Sequence, residues 1–490
     1  MGALAAAVAV ALGFSLIAAL AVIVVLVAVF VVVLDPLLPV LIVVLLTSVT
    51  FDTLPTLSAH SSAIGRAEKL MVMLCLVPVL VARGLRDRRI PHPVIAYTAV
   101  FVFTFTLAHR DLNLDTQKAI FAFVTYNVGW MAASTRWTRA EATKLATAIA
   151  LVAPLSVVEG ALLQVAGQTT LVIPEYTGVH RLQGATIPAF LALLGAASAA
   201  GAVVLVHLGL HRRGYALAAA NVIIVALSGT RGGLIATILL LSPLAWRFVR
   251  RPGSRMTTPL LRALVGVSVL IAAAVAYAPV VIARTFNSTA TPGGGINTSG
   301  RNSAWAYFLQ RASASRIFGL GLGSGPLLAG EATIQRLQGD FQAQHNEYLH
   351  LYVEGGVVGF VLVIGAIVLF LSVIWRGVPD RCRPDVAALF AAFAFYSFVD
   401  NTVTTYLFFL PFGLVLSLYL AMGDEDRRAE IASGNNRSAS VSDELDLGWT
   451  EGREPGLRLG EARAGKRAAF HPVVHGQVPR HAGESPLDPR

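Results

Sequence analysis

Cysteine and charge are what this 490-residue chain has least of. Two cysteines occur, Cys75 inside an apolar run and Cys382 in a basic loop, and two such positions support neither a disulfide framework nor a thiolate metal site. Charged residues make up only 13% of the chain against 55% hydrophobic ones, and the mean hydropathy is +0.68, which excludes a water-soluble globule. Strict alternation of apolar and polar residues is also missing, so the apolar runs read as helices and not as barrel strands. No basic stretch precedes the apolar run that begins at Ala3, and that run is too long for a cleavable signal peptide.

What remains is a series of continuous apolar runs, each close to the roughly 20 residues that a helix needs to cross a bilayer core. The expected fold is an all-α polytopic membrane protein. Asp35-Pro36 interrupts residues 3–49, leaving one or two spans there. Further spans are expected near 70–82, 93–108, 119–134, 145–166, 186–209, 215–229, 233–247, 263–283, 351–374, 385–400 and 403–422, which gives 12 or 13 transmembrane helices. After Met422 the composition turns to Asp, Glu, Arg, Gly, Ser and Pro. Such a segment buries too little apolar surface to offset the entropy of ordering. The chain therefore divides into a transmembrane domain, 1–422, and a disordered cytoplasmic tail, 423–490.

A formal charge of +10 invites a nucleic-acid reading, but the charge is distributed otherwise. The loops at 83–92, 135–144, 210–214, 247–262 and 375–384 are all basic and fall on every second connection, as the positive-inside bias requires of cytoplasmic loops. No nucleic acid is expected as a partner. The connections at 109–118, 167–185, around 230, 284–350 and 400–402 then face outward, and the largest, 284–350, is one long extracytoplasmic loop. Two spans before residue 50 put the N-terminus outside, and one puts it inside.

Polar residues that suggest chemistry gather on that outer side. His345-Asn346-Glu347-Tyr348-Leu349-His350 stands just before an apolar run, and an imidazole can accept a proton near neutral pH. A helix beginning at about 346 puts Glu347, His350 and Glu354 on one stripe, so His350 is expected in a carboxylate network and His345 is the freer to act as a base. Arg231, in Ser228-Gly229-Thr230-Arg231-Gly232-Gly233, sits in a tight turn between two spans, either snorkelling to the surface or gripping an anion. Arg181, in His180-Arg181-Leu182-Gln183-Gly184, and Arg301 are also outward. Three fork-shaped donors can hold a diphosphate through paired N–H bonds.

Gly319-Leu320-Gly321-Leu322-Gly323-Ser324-Gly325 lacks the third glycine of a dinucleotide fingerprint and has no βαβ context. It either turns the backbone or forms an anion nest. Asp111 and Asp115 are the paired carboxylates of a short outward loop, and Asp400 stands alone; arginines are the better neutralisers of a diphosphate. Neither a metal nor a cofactor is expected.

These residues resemble the O-antigen ligase and polymerase superfamily of envelope glycan enzymes. The resemblance rests on Gly300-Arg301 with Trp305, on the glycine cluster, and on His345-Asn346-Glu347-Tyr348-Leu349 followed by Val353-Glu354-Gly355-Gly356-Val357-Val358-Gly359. Thr230-Arg231-Gly232 and Arg181-Leu182-Gln183-Gly184 add to it, with threonine where the family has serine. It covers about residues 175–420. The resemblance implies a GT-C-like helical bundle in the cell membrane, multi-pass, with its site on the outer face. It implies a polyprenyl-diphosphate-linked glycan as donor and a glycan, lipid or protein as acceptor, among membrane lipids. It implies inversion without a metal. His345 would then be the catalytic base, Arg181, Arg231 and Arg301 would hold the diphosphate, and Asn346 would contact substrate. Ligase and polymerase differ only in the acceptor. A small-solute transporter is the rival from another class, although such proteins tend to place ionisable groups at mid-membrane, where Glu159 is the clearest example here. A scaffold whose outer loop docks a partner is the third reading.

Overall fold

The computed structural model describes residues 35–50, 76, 79, 83, 89–112, 116–174, 179–249, 301–329 and 345–446, without side chains at 104–118, 248–249, 302–303, 430 and 432–446. The spans expected before residue 35, near 70–82 and at 263–283 fall wholly or mostly outside the described residues, as do 284–300, 330–344, Asp115 and the tail beyond 446. The chain divides into a unit Met1–Glu430 and a unit Ile431–Arg490. Of the second, residues 431–446 are helical.

Its helices are α1 (Leu37–Leu46), α2 (His92–Leu112), α3 (Thr116–Ala133), α4 (Arg139–Val165), α5 (Pro188–His207), α6 (His211–Leu227), α7 (Arg231–Val249), α8 (Arg301–Ala312), α9 (Ser324–Ala329), α10 (Glu347–Gly377), α11 (Arg383–Val399) and α12 (Tyr406–Asp446). Five helical segments among the described residues are long and apolar enough to cross a membrane: α4, α5, α10, α11 with the turn before it (Asp380–Val399), and α12 over Tyr406–Ala429. The chain is a multi-pass membrane protein.

Local sequence sets the helix boundaries. Thr138 and Glu141 form a capping box at the start of α4, the Glu141 carboxylate accepting from Thr138 N at 2.9 Å and the Thr138 hydroxyl from Glu141 N at 3.4 Å. Arg83 pairs with the same carboxylate. Proline opens α5 at its first position, where its missing N–H costs nothing.

The spans divide by what they face. The alanine- and glycine-rich α5 is buried over 89% of its apolar window, because small side chains let α4, α6 and α7 pack closely around it. By contrast α10 is the most apolar span among the described residues and only 28% of its apolar stretch is buried; Val357, Val361, Val368 and Leu369 face outward, where lipid is the natural solvent. The apolar window of α12 is wholly buried. Its Phe412 stacks on Phe393 of α11 at 4.4 Å between centroids, its Phe409 meets Trp130 of α3 edge-on at 4.9 Å, and its Ser417 accepts from Trp137 Nε1 at 2.9 Å.

Three features depart from the sequence reading. The connection 167–185, expected to face outward, contains an antiparallel pair, β1 (Val172–Pro174) and β2 (His180–Leu182), with Ile173 opposite Arg181. The β-branched run Thr169, Thr170, Val172, Ile173 favours extended backbone there, a small exception in a chain that is otherwise helical among the described residues. The connection 284–350, expected to be one long extracytoplasmic loop, is partly helical among its described residues, through α8 and α9. Finally, α12 continues past residue 423 to Asp446, into the segment expected to be tail.

Candidate functional site

The site is built where the start of α10 meets the end of α11. Asn346 caps α10, its side-chain oxygen accepting from Leu349 N at 3.0 Å. The residue before it, His345, has φ 47 and is the one described non-glycine residue in the left-handed region. That conformation costs about 1–2 kcal/mol for a residue with a Cβ, and such strain persists where surrounding contacts over-determine it. Here the contact is Asp400, the C-cap of α11: His345 Nδ1 lies 2.9 Å from Asp400 Oδ1. The same oxygen accepts from Asn401 N at 2.8 Å. The His345 side chain is 33% exposed and the Asp400 side chain 10%. A carboxylate on Nδ1 fixes the ring's orientation and favours the tautomer that carries its proton on that nitrogen.

The arginines converge on the same end of the bundle. Arg181, on β2, donates from Nε to Ser228 O at 2.8 Å and from Nη2 to the Thr230 hydroxyl at 2.9 Å, so its guanidinium is fixed to the turn that leads into α7. The first residue of α7 is Arg231. A Cβ on Gly233 would stand 3.1 Å from the Tyr396 hydroxyl, which shows how tightly the first turn of α7 seats on α11. Arg301 opens α8, and one turn later Trp305 meets Phe398 of α11 at 6.0 Å between centroids. Tyr396 lies among these groups: Asp400, Arg301 and Arg181 are all close enough for their charges to act on its hydroxyl. That hydroxyl has no hydrogen-bond partner among the described residues.

Below them lies a buried polar network. His350 Nε2 is 2.9 Å from Glu354 Oε1 and 3.1 Å from the Tyr126 hydroxyl, and its Nδ1 is 3.5 Å from Glu347 Oε1. The expected stripe of two carboxylates about a histidine is therefore present, and all three side chains are buried. Glu354 Oε1 also accepts from Gly323 N at 2.9 Å and Gly325 N at 3.1 Å. The glycine segment does form an anion nest, and its occupant is the protein's own carboxylate. Gly319 and Gly356 pack backbone to backbone, both at positive φ, where α10 breaks its helical path. Leu320 N and Gly321 N donate to the carbonyls of Val353 and Glu354, left open by that break.

A second cluster stands at the opposite end of α11. Arg247 grips both oxygens of Asp385 at 2.5 Å, His207 Nε2 lies 2.8 Å from Oδ2 of the same carboxylate, and Cys382 Sγ lies 3.5 Å from His207 Nδ1. Cys382 is fully buried. Charges inside a bundle are retained where they satisfy one another, and this group ties α5, α7 and α11 together.

The sequence singled out His345, the arginines and the His350 stripe and left Asp400 without a role. Its one signal was an acid at the end of an apolar span, 55 positions from the histidine it meets. Asp111 has no described side chain. Among the described residues no group of three or more His, Cys, Asp or Glu is arranged to hold a metal. Residues 215–364 match the family model described as O-antigen ligase. That stretch, which includes Arg231, Arg301 and His345, carries the pattern of the O-antigen ligase and polymerase superfamily; Arg181 and Asp400 lie outside it. No curated protein matches the chain.

Proposed function

We propose that this protein is an inverting, metal-independent glycosyltransferase of the O-antigen ligase kind, acting at the extracytoplasmic face of the cell membrane. It moves a glycan from a polyprenyl diphosphate carrier to an acceptor hydroxyl. The observation that carries the reading is the His345–Asp400 pair at 2.9 Å, beside the turn on which Arg181 is fixed and from which Arg231 begins its helix. His345 takes the proton of the acceptor hydroxyl. The oxygen attacks the anomeric carbon from the face opposite the diphosphate, the carbon–oxygen bond to the diphosphate breaks, and the lipid diphosphate leaves with the electron pair. Asp400 orients the imidazole and stabilises the imidazolium formed, the role a buried acid has beside a histidine base. Arg181, Arg231 and Arg301 balance the growing charge on the leaving group, which is electrostatic stabilisation by groups already in place. Asn346 serves by starting the helix that presents His345.

The test is transfer in vitro by the purified full-length protein from a defined polyprenyl diphosphate donor in EDTA, with candidate acceptors supplied one at a time. The expected result is product with the opposite anomeric configuration and release of lipid diphosphate. Retention of configuration, or dependence on an added divalent cation, would overturn the mechanism. In a deletion strain, long chains retained on the carrier mark a ligase, and loss of long chains marks a polymerase.

A further inference from the structure

His345 and Asp400 are supplied by different segments, and they meet only if the connection between α11 and α12 keeps one conformation. That connection, Asp400-Asn401-Thr402-Val403-Thr404-Thr405, is neither helix nor strand. Local side chains restrain it in part: Ser397 and Thr402 share a hydrogen bond at 2.6 Å, and the Thr405 hydroxyl donates to Asn401 O at 2.8 Å. The larger restraint comes from across the site. Glu347 Oε2 accepts from Thr402 N at 2.9 Å, Val403 N at 3.0 Å and Thr404 N at 3.4 Å, with the Thr404 hydroxyl also at 3.4 Å. Successive backbone N–H groups closing on one carboxylate oxygen form a charge-assisted nest.

Glu347 is only 3% exposed and is the first residue of α10, two positions after His345. A ring of contacts therefore closes: His345 to Asp400, along the backbone to residues 402–404, across to Glu347, and back through Asn346 to His345. The other oxygen of Glu347 faces His350, which is fixed in turn by Glu354.

We propose that Glu347 is a positioning residue for the transfer reaction. By clamping the N–H groups of residues 402–404 it sets Asp400 against the imidazole, and His350 holds the clamp. This rests on the reading of His345 as the base. Glu347 touches no reacting atom in this account and acts through Asp400.

The experiment measures kcat and the donor KM of the full-length protein in membranes of defined lipid, for Glu347→Gln, Asp400→Asn and the pair combined. Glutamine keeps the shape and one acceptor oxygen but loses the charge. The single Glu347→Gln variant is expected to lose about tenfold in kcat, with the donor KM within about twofold, since misplacement of a catalytic group costs rate and not binding. The double variant is expected to be no slower than Asp400→Asn alone within about twofold, because both changes act through one imidazole. An unchanged kcat in Glu347→Gln, or losses that multiply in the double variant, would overturn the proposal. Should Glu347→Gln fail to accumulate, Glu347→Asp keeps the charge but withdraws it by one methylene from the nest. It is expected to show the same selective loss of kcat, and a normal kcat there overturns the proposal too. A slow Asp400→Asn beside a normal Glu347→Gln removes only the clamp, whereas wild-type rates in both His345→Ala and Asp400→Asn remove the base reading itself.

Discussion

At the start of α11, Asp385 faces His207 at 2.8 Å; as its C-cap, Asp400 faces His345 at 2.9 Å. Some 15 residues of helix, roughly 22 Å, separate the two acids. In the first pair every group is occupied by protein: Arg247 takes both oxygens of Asp385, and Cys382 stands on the second nitrogen of His207. Those side chains are 9% and 1% exposed. In the second pair the imidazole is 33% exposed and its backbone is held in a conformation that a residue with a Cβ seldom adopts. The same two residue types thus make a lock at one end of the helix and a site open to chemistry at the other. What separates them is how far the imidazole is exposed, and whether strain has been tolerated to present it.

The contrast can be broken most directly with His345→Ala, which is expected to lower transfer by about 10²–10⁴-fold with no loss of protein, the range for removing a general base. His207→Ala is expected to reduce the amount of folded protein while the surviving fraction transfers at a near-normal rate; a chemical loss equal to that of His345→Ala would erase the distinction. Next, Asp400→Asn is expected to lose on the order of 10²-fold in kcat, read in the same transfer assay, because an amide no longer stabilises the imidazolium. Arg181→Lys is a smaller change, expected to raise the donor KM about tenfold, since a lysine cannot keep both the Ser228 carbonyl and the Thr230 hydroxyl in a planar fork. Asp385→Asn belongs to the lock and is expected to lower stability by about 3 kcal/mol in thermal unfolding, the cost of leaving one member of a buried ion pair unanswered, with kcat of the folded protein little changed. Smallest of all, Cys382→Ser is expected to leave transfer within about twofold, because a buried thiol at 3.5 Å from a histidine contributes packing and little else.

Much of this arrangement was legible in the sequence, and the reasons are physical. Apolar runs of membrane-spanning length read as helices because a bilayer leaves the backbone few alternatives, and the helices from α2 to α7 and from α10 to α12 stand where the runs stand. The stripe of Glu347, His350 and Glu354 followed from helical spacing alone, because one helix carries all three residues. Contacts between distant segments carry no such signature. Asp400 was one unpaired acid in the sequence, as was Asp385, whose partners lie 178 and 138 positions away. The glycine segment left two readings open, turn or nest, and the fold draws on both: Gly319 lies against the break at Gly356, while Gly323 and Gly325 hold Glu354. Asn346 was read only as a substrate contact, although a short polar residue just before an apolar helix also suits an N-cap, which is where the fold uses it. The β1–β2 pair was missed because two three-residue strands leave almost no periodic trace.

The enclosure of α12 over residues 407–423 has a consequence for biogenesis. Trp130, Trp137 and Phe393 all precede that segment, so the ribosome delivers them to the bilayer before the aromatic and hydroxyl groups that cover them have been synthesised. Until α12 is made, those side chains lack the partners that the finished fold gives them.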